Sequence, residues 1–245
     1  GKFNLVCANN VYAHVPDIND FTKALKNILK KDGTITIEFP HLLNLLQYYQ
    51  FDTIYHEHYS YLSLIFVRKI FKKFKLKVYK VEKIKTHGGS LRVYGCHSNR
   101  VINIDRTVKE VTDEEIAFGL NLLSTYKNFA SKVQNIKFQF LSFLIKQKIS
   151  GKKICAYGAA AKGNTLINYC GITNDLIEYI FDAAPSKQNL LAPGSRIKIL
   201  PPNEIKKIKP DLLIILPWNI RSEIILFLQS NKIKSDIISV QDFIK

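Results

Sequence analysis

The segment KICAYGAAAKGNTLINYC, residues 153–170, decides the fold class. Residues 153–157 are strand-like and, after Lys153, apolar, and Gly158 opens a run of small residues that leads into a helical segment. Further apolar strands follow at residues 177–182 and 211–216. Strand, turn, helix and strand in this order are typical of a parallel α/β sheet, so this part of the chain is predicted to be Rossmann-like.

The N-terminal part of the chain follows the same pattern. Its apolar residues predict a strand at 3–8, a helix at 17–31 and a β-branched strand at 34–39. Two segments of alternating apolar and polar residues, 77–84 and 91–96, predict an adjacent antiparallel pair. We therefore expect a second, partial Rossmann-like sheet in this part.

A long helical stretch, residues 113–149, separates the two parts. We expect it to run without a forced break and to end at Ser150 and Gly151, because glycine commonly follows a helix C-terminus. The predicted organisation is a first domain at residues 1–110, a helical connector at 111–150 and a Rossmann-like domain at 151–245.

The composition limits the classes of function. The 245 residues are 47% hydrophobic and 23% charged, which allows a sizeable core and argues against wholesale disorder. The net charge of +16 attracts anions, but the lysines are spread out and no RNA-binding signature accompanies them, so we expect no specific nucleic-acid partner. The cysteines form no C-x-x-C pair, and no apolar run approaches the roughly 20 residues of a membrane span. We expect free thiols, a cytoplasmic location and no membrane partner.

The segment FDTIYHEHYSYL, residues 51–62, concentrates groups that can hold, give or take protons. If it is extended, His56 and His58 share one face, as chelating histidines on a strand do. A metal site would need a third ligand, which His14 or Glu38 could supply only if the fold brings it close. An acid–base centre needs an imidazole, an orienting neighbour and a neutral donor, all of which the loop offers. From the residues alone, a metal site, an acid–base centre and a polar surface loop all stay open.

The turn after residues 153–157 also allows two interpretations. It is not a P-loop, because Lys162 precedes the second glycine, and it does not match G-x-G-x-x-G. Small residues, a helix N-terminus and a lysine would nevertheless suit a phosphate. The alternative is a tight strand-to-helix turn whose small residues serve close packing.

Six segments, in this order along the chain, resemble one known family. They are ANNVYAHVPDINDF (8–21), TITIEFPHL (34–42), FDTIYHEHYSYLS (51–63), THGGSLRVY (86–94), YGAAAKGNTLINYCG (157–171) and LIILPWNIRSEI (213–224). Together they are similar to the nucleotide-sugar C-methyltransferases of branched deoxysugar pathways. The resemblance runs through nearly the whole chain.

The resemblance implies an architecture and a cofactor. Family members carry an N-terminal zinc-binding domain, a central methyltransferase domain that uses S-adenosylmethionine, and a C-terminal Rossmann-like domain. The chain would then begin inside the methyltransferase domain, and zinc and the cofactor's glycine-rich loop are expected only outside it. The expected fold class is α/β, with a partial Rossmann-like methyltransferase sheet joined by a long helical segment to a second Rossmann-like domain.

The resemblance also implies a reaction, methyl transfer to the carbon beside the ketone of a dTDP-linked 4-keto deoxysugar. A base removes the C–H proton, and no metal is required because the ketone already acidifies that proton. By similarity, His58 is the expected base and Tyr55 a rival base or a hydrogen-bond donor to the sugar. Glu57 is expected to orient its neighbours, and His14 to face the sugar and the methyl donor. A loop in which both His58 and Tyr55 reach the sugar is expected to be irregular.

Binding residues and partners follow from the same resemblance. The expected cofactor-binding residues are Ala8, Asn9 and Asn10. The expected substrate-binding residues are Asn10, His14, Gly158, Lys162, Asn164 and Lys187. The expected partner is a small-molecule nucleotide sugar, and the protein is expected to be a monomer. Two rival hypotheses stay open: a non-catalytic remnant that binds a nucleotide sugar, and a non-specific polyanion binder.

Overall fold

The computed structural model describes residues 1–244, apart from the side chain of His87. Contacts divide the chain into two compact units. The first unit comprises residues 1–50 and 56–129, and the second comprises residues 51–55 and those from 130 onwards. The short segment 51–55 therefore packs with the C-terminal part of the chain, although its sequence neighbours on both sides belong to the first unit.

The first unit is built on a four-stranded sheet with strand order β1-β2-β4-β3. Its strands are β1 Phe3–Asn9, β2 Leu29–Pro40, β3 Leu76–Ile84 and β4 Ser90–His97. β1 and β2 are parallel, whereas β4 is antiparallel to both β2 and β3, which confirms the predicted antiparallel pair. Ile35, Ile37 and Phe39 share one face of β2 and are fully buried.

The helices of the first unit include α1 Ile18–Ile28, α2 Leu42–Gln47, α3 Leu64–Lys73 and α4 Arg106–Phe118. Side-chain caps begin three of them, α1, α3 and α4. The carboxylate of Asp17 accepts hydrogen bonds from the N–H groups of Asn19 and Asp20 at the start of α1, and the Ser63 hydroxyl accepts one from Phe66 in α3. Such caps are typically worth about 1 kcal/mol each. The buried sides of α1, α3 and α4 join β2 and β4 in one apolar core.

The helix predicted at residues 17–31 ends earlier, at Ile28. Leu29 instead pairs with Phe3 of β1 and is fully buried, so β2 begins before the predicted start at residue 34. Gly33 allows the close approach, since a Cβ there would lie 2.9 Å from the Phe3 carbonyl oxygen. Strand pairing has overridden the helical periodicity at this point.

The prediction of an unbroken helix over residues 113–149 is wrong. α4 ends at Phe118, and α5 spans Leu123–Ile149. Gly119 adopts a left-handed conformation with φ of +87°, which glycine reaches without a Cβ penalty, and so terminates α4. The two units divide within α5. Neither α5 nor any other helix described in residues 1–244 is apolar enough over a sufficient length to cross a bilayer.

The second unit is a five-stranded parallel sheet with strand order β7-β6-β5-β8-β9. Its strands are β5 Ile154–Tyr157, β6 Tyr179–Phe181, β7 Lys198–Leu200, β8 Leu212–Ile215 and β9 Asp236–Ile238. Its helices include α6 Ala161–Cys170, α7 Ile205–Ile208 and α8 Arg221–Ser230. The strand order reverses at β5, and doubly wound sheets bind ligands at the carboxyl ends of the strands beside such a point. The predicted α/β class and second Rossmann-like sheet are confirmed.

The cysteines are free thiols, as predicted. Cys96, Cys155 and Cys170 are buried, whereas Cys7 on β1 is exposed. Burial raises the pKa of the Cys155 and Cys170 thiols to about 12, so both stay protonated at neutral pH.

Candidate active site

Two histidines of the first unit meet beyond the carboxyl end of β1. His14 lies in the loop between β1 and α1, and His58 lies in the loop that precedes α3. Their ring centroids are 4.8 Å apart and their planes are inclined by 48°. Both residues are half-buried, so the imidazoles are held in place and still reachable from solvent.

The backbone of Glu57 fixes the tautomer of His14. The Nδ1–H of His14 donates to the Glu57 carbonyl oxygen at 2.8 Å, and a carbonyl oxygen can only accept, so Nδ1 carries the proton. Nε2 is then left to accept a hydrogen bond or a proton. The resemblance implies an orienting role for Glu57, and the structure shows a contact with His14 through the backbone carbonyl of this exposed residue.

Further contacts hold the loop that carries His58 against the loop between β1 and α1. The Ser60 N–H donates to the Ala13 carbonyl oxygen at 3.1 Å. The His58 ring meets the Tyr61 ring edge-on, with a centroid distance of 5.8 Å. The chain turns at His56 instead of continuing as a strand, so the predicted irregular loop is confirmed.

Tyr55 belongs to the second unit, unlike His14 and His58. It ends the segment 51–55 of the second unit, and His56 begins the return to the first. Its phenol is half-buried. The structure thus brings His14, Glu57 and His58 together within one unit, and the role of Tyr55 stays a prediction from the resemblance.

The predicted cofactor-binding residues lie at the carboxyl end of β1. Ala8 is buried, while Asn9 and Asn10 are exposed. Asn10 has a φ of +54°, a left-handed conformation in which asparagine is enriched, and its N–H donates to the Glu38 carbonyl oxygen at 2.9 Å. The chain therefore turns sharply after β1 and leaves two amide side chains accessible beside a small buried residue.

Both residues considered above as a third metal ligand make other contacts. The part of the chain that the structure describes holds no group of three or more His, Cys, Asp or Glu side chains placed to bind a metal ion. Of the two proposed third ligands, Glu38 is bound by the Arg92 guanidinium at 2.9 Å, and His14 has its Nδ1 engaged by a carbonyl.

The glycines of the turn after β5 are required by packing. Gly158 has a φ of +91°, and a Cβ there would collide with the ring of Pro217. A Cβ on Gly163 would lie 2.8 Å from the Leu216 Cβ. Close approach of this turn to the end of β8 therefore explains both glycines, which supports the tight-turn interpretation.

The carboxylate of Asp182 is hydrogen-bonded to the same turn. The Ala159 N–H donates to Asp182 Oδ2 at 2.6 Å, and Lys187 Nζ lies 3.7 Å from that oxygen. Lys187 also donates to the Ala159 carbonyl oxygen at 2.9 Å. Lys187 is thus tied to the turn, and the half-buried Asn164 lies in the first turn of α6. Asp182 was visible in the sequence only as an acidic residue that follows a buried strand.

Lys162 belongs to a cluster that the sequence did not reveal. Its ammonium lies 4.5 Å from the ring centroid of Trp218 and donates to Asn219 Oδ1 at 2.8 Å. The Trp218 Nε1–H in turn donates to Asp52 Oδ2 at 2.6 Å. Burial lowers the pKa of Lys162, and the charge of Asp52 opposes that effect. The available signal was the aromatic and polar pair Trp218 and Asn219, separated by two residues from the end of the buried strand β8.

Comparisons with known proteins identify the family of the chain. A family profile described as the C-methyltransferase C-terminal domain matches residues 85–236, and one described as a methyltransferase domain matches residues 1–81. The C-methyltransferase NovU of Streptomyces niveus is 34% identical over 225 residues, which make up 92% of this chain and 54% of that protein. The chain thus spans about half the length of this curated relative.

Among solved structures, magnesium protoporphyrin IX methyltransferase (ChlM) from Synechocystis PCC 6803, with bound SAH, is 15% identical. The match covers 40% of this chain and 46% of that chain with a TM-score of 0.32, an overlap too small to support an inference. The family profile alone covers more than half of the residues. The chain belongs to the C-methyltransferase family.

Proposed function

We propose that this protein transfers a methyl group from S-adenosylmethionine to the carbon beside the ketone of a dTDP-linked 4-keto deoxysugar. Family membership and the C-methyltransferase relative support methyl transfer to carbon. The observation that carries the proposal is the contact between His58 and a His14 whose tautomer is fixed by a backbone carbonyl. The sugar substrate rests on the resemblance described above.

His58 acts as the base in this proposal. A C–H bond beside a ketone is acidic because the resulting charge spreads onto the ketone oxygen, so a neutral imidazole can accept its proton. The ring of His14 packs against His58 and restricts its rotation, while Tyr55 donates a hydrogen bond to the sugar. Glu57 contributes through the carbonyl oxygen that orients His14. A positioned base of this kind contributes about 10²–10⁴-fold to the rate.

Ala8, Asn9 and Asn10 would hold part of S-adenosylmethionine. Their arrangement fits that role on one flank of the cofactor, because two exposed amides can hydrogen-bond to it and the small Ala8 leaves room beside them. When bound, S-adenosylmethionine supplies an electrophilic methyl group on a sulfonium. The residues around it hold the acceptor carbon in line and keep water away.

The second sheet would bind the nucleotide diphosphate beside its switch point. Lys162 is the group best suited to this role, since it lies at the start of α6 beside the turn that contains Gly158. Asn164 lies on the same helix turn and can add a hydrogen bond. Lys187 is a weaker candidate, because Asp182 already faces its ammonium.

Methyl transfer from labelled S-adenosylmethionine tests the proposal. The natural protein is expected to move the label onto the ring carbon beside the ketone of a dTDP-4-keto deoxysugar, as located by NMR. His58→Asn should lower the rate by about 10²–10⁴-fold. His56→Asn, which changes an exposed histidine of the same loop, is the matched control and should keep the wild-type rate. Equal rates in the two variants would contradict the assignment of the base.

Binding measurements separate this proposal from a non-catalytic one. Calorimetry with dTDP and with S-adenosylhomocysteine should show that the protein binds both. Binding of dTDP alone, without methyl transfer, would instead indicate a nucleotide-sugar binder. We further expect a cytoplasmic monomer, which size-exclusion chromatography with light scattering and fractionation of cells would test.

A further inference from the structure

Asp52 is a buried carboxylate that the proposed reaction does not use. It is 1% exposed and lies in a short 3-10 helix, Phe51–Thr53. The ring of the preceding Phe51 is also buried and lies 5.4 Å from the ring centroid of Tyr169 on α6. Segment 51–55 is thereby anchored in the second unit against α6.

The two carboxylate oxygens of Asp52 have different surroundings. Oδ2 accepts the hydrogen bond from Trp218 Nε1 at 2.6 Å. Oδ1 is buried and has no hydrogen-bond partner among the residues that the structure describes. A buried carboxylate oxygen without a donor is unfavourable unless a positive charge compensates it.

Lys162 on α6 brings a positive charge to this cluster, because its ammonium lies over the Trp218 ring whose Nε1–H donates to Asp52. Burial raises the pKa of Asp52 to about 6, against the hydrogen bond from Trp218 and the charge of Lys162, which both lower it. Burial likewise lowers the pKa of Lys162, and the charge of Asp52 raises it. On α6, the charged group that acts on Asp52 is thus Lys162. In the turn after β8, the group in contact with Asp52 is the neutral indole of Trp218. Each of the two charges favours the ionised form of the other.

We propose that Asp52 is a positioning residue: its hydrogen bond to Trp218 holds the indole ring over which the Lys162 ammonium lies, and so places that ammonium for binding the phosphates of a nucleotide ligand. The proposal rests on the proposed function only for the identity of that ligand. The negative charge of a phosphate bound at Lys162 disfavours the ionised form of Asp52. Anion binding therefore favours protonation of Asp52, and anion affinity rises as the pH falls through the range in which Asp52 titrates.

The fluorescence of Trp218 measures this coupling directly, because it is the single tryptophan of the chain. Titrated between about pH 4 and pH 9, the wild-type emission is expected to change with a midpoint near the Asp52 pKa of about 6. Asp52→Asn should lack that transition. Lys162→Met should move the midpoint to higher pH by roughly half a unit or more, because the charge that favours the carboxylate is gone. Lys198→Met, which removes an exposed lysine on β7, is the matched control and should leave the midpoint unchanged.

Sulfate serves as the ligand in this experiment, because it is a phosphate-like anion that does not titrate between about pH 4 and pH 9. At equal ionic strength, sulfate but not chloride should raise the midpoint in the wild type, and should fail to do so in Lys162→Met. Far-UV circular dichroism checks that each variant is folded. A transition that persists in Asp52→Asn, or a midpoint that Lys162→Met and sulfate leave in place, would overturn the proposal. None of these readouts involves a sugar nucleotide, so this proposal and the proposed function can fail independently.

Discussion

Glu115 offers a quantitative test of how the candidate active site is supported. It lies on α4 and is fully buried. Its carboxylate accepts hydrogen bonds from the N–H groups of Leu64 at 2.6 Å and Ile65 at 2.8 Å, which begin α3. It also accepts one from His41 Nε2 at 2.8 Å, just beyond β2. This side chain thus ties the start of α3, which follows the loop of His58, to the end of β2.

Glu115→Ala should destabilise the first unit strongly. The change leaves three donors without an acceptor, and each buried donor left unpaired is worth about 1–3 kcal/mol. Water can reach the partly exposed Ile65, which lowers the sum. The donors on Leu64 and His41 are both buried and account for most of this cost. We therefore expect a loss of about 3–5 kcal/mol in the free energy of unfolding of this unit.

Glu114→Ala is the matched control on the same helix. Glu114 forms an exposed ion pair with Lys83, and exposed pairs contribute about 0–1 kcal/mol. Urea unfolding followed by far-UV circular dichroism measures the stability, and hydrogen exchange of the Leu64 and Ile65 amides measures the local effect. Equal stability of Glu115→Ala and Glu114→Ala, with both amides still protected, would show that Glu115 does not support the start of α3.

Three further predictions concern the second unit and the thiols. Gly158→Ala should lower thermal stability more than Gly151→Ala, by about 1–3 kcal/mol. Both glycines have positive φ, but only at Gly158 is a Cβ blocked by a neighbouring ring. Iodoacetamide should label the exposed Cys7 about 100-fold faster than the buried Cys155, as mass spectrometry of the folded protein would show. The free energy of unfolding of Asp52→Asn, relative to that of the wild type, should rise by about 2–3 kcal/mol as the pH rises from about 4 to 7. The reason is that only the wild type must ionise a carboxyl whose folded-state pKa is raised to about 6. Unfolding curves recorded across this pH range measure the difference.

The sequence predicts what local periodicity determines. The apolar runs of β5 and β8 and the alternation in β3 and β4 led to the correct element types and to two Rossmann-like sheets. The predicted boundaries of helices and strands were wrong where a single residue determined where an element begins or ends. Gly119 ends a helix that its flanking residues would otherwise continue, and Leu29 enters a strand because its burial against β1 outweighs the helical pattern before it.

The candidate site depends on contacts between distant parts of the chain, which periodicity does not encode. The resemblance pointed to His14 and His58, and the structure adds that their rings are in contact and that a backbone carbonyl fixes one of them. The bond between Asp52 and Trp218 joins residues that are 166 positions apart. In the sequence, Asp52 was one residue of a polar loop. Only the fold shows that it is buried beside a lysine.

Proton exchange at the carbon beside the ketone tests the central claim, the role of His58 as base, most directly. With S-adenosylhomocysteine in D₂O, the wild-type protein is expected to replace that hydrogen of the sugar nucleotide with deuterium, as NMR would follow. His58→Asn is predicted to lower the exchange rate by about 10²–10⁴-fold while binding of dTDP stays unchanged, and His56→Asn is predicted to exchange at the wild-type rate. Exchange by His58→Asn at the wild-type rate would contradict the account.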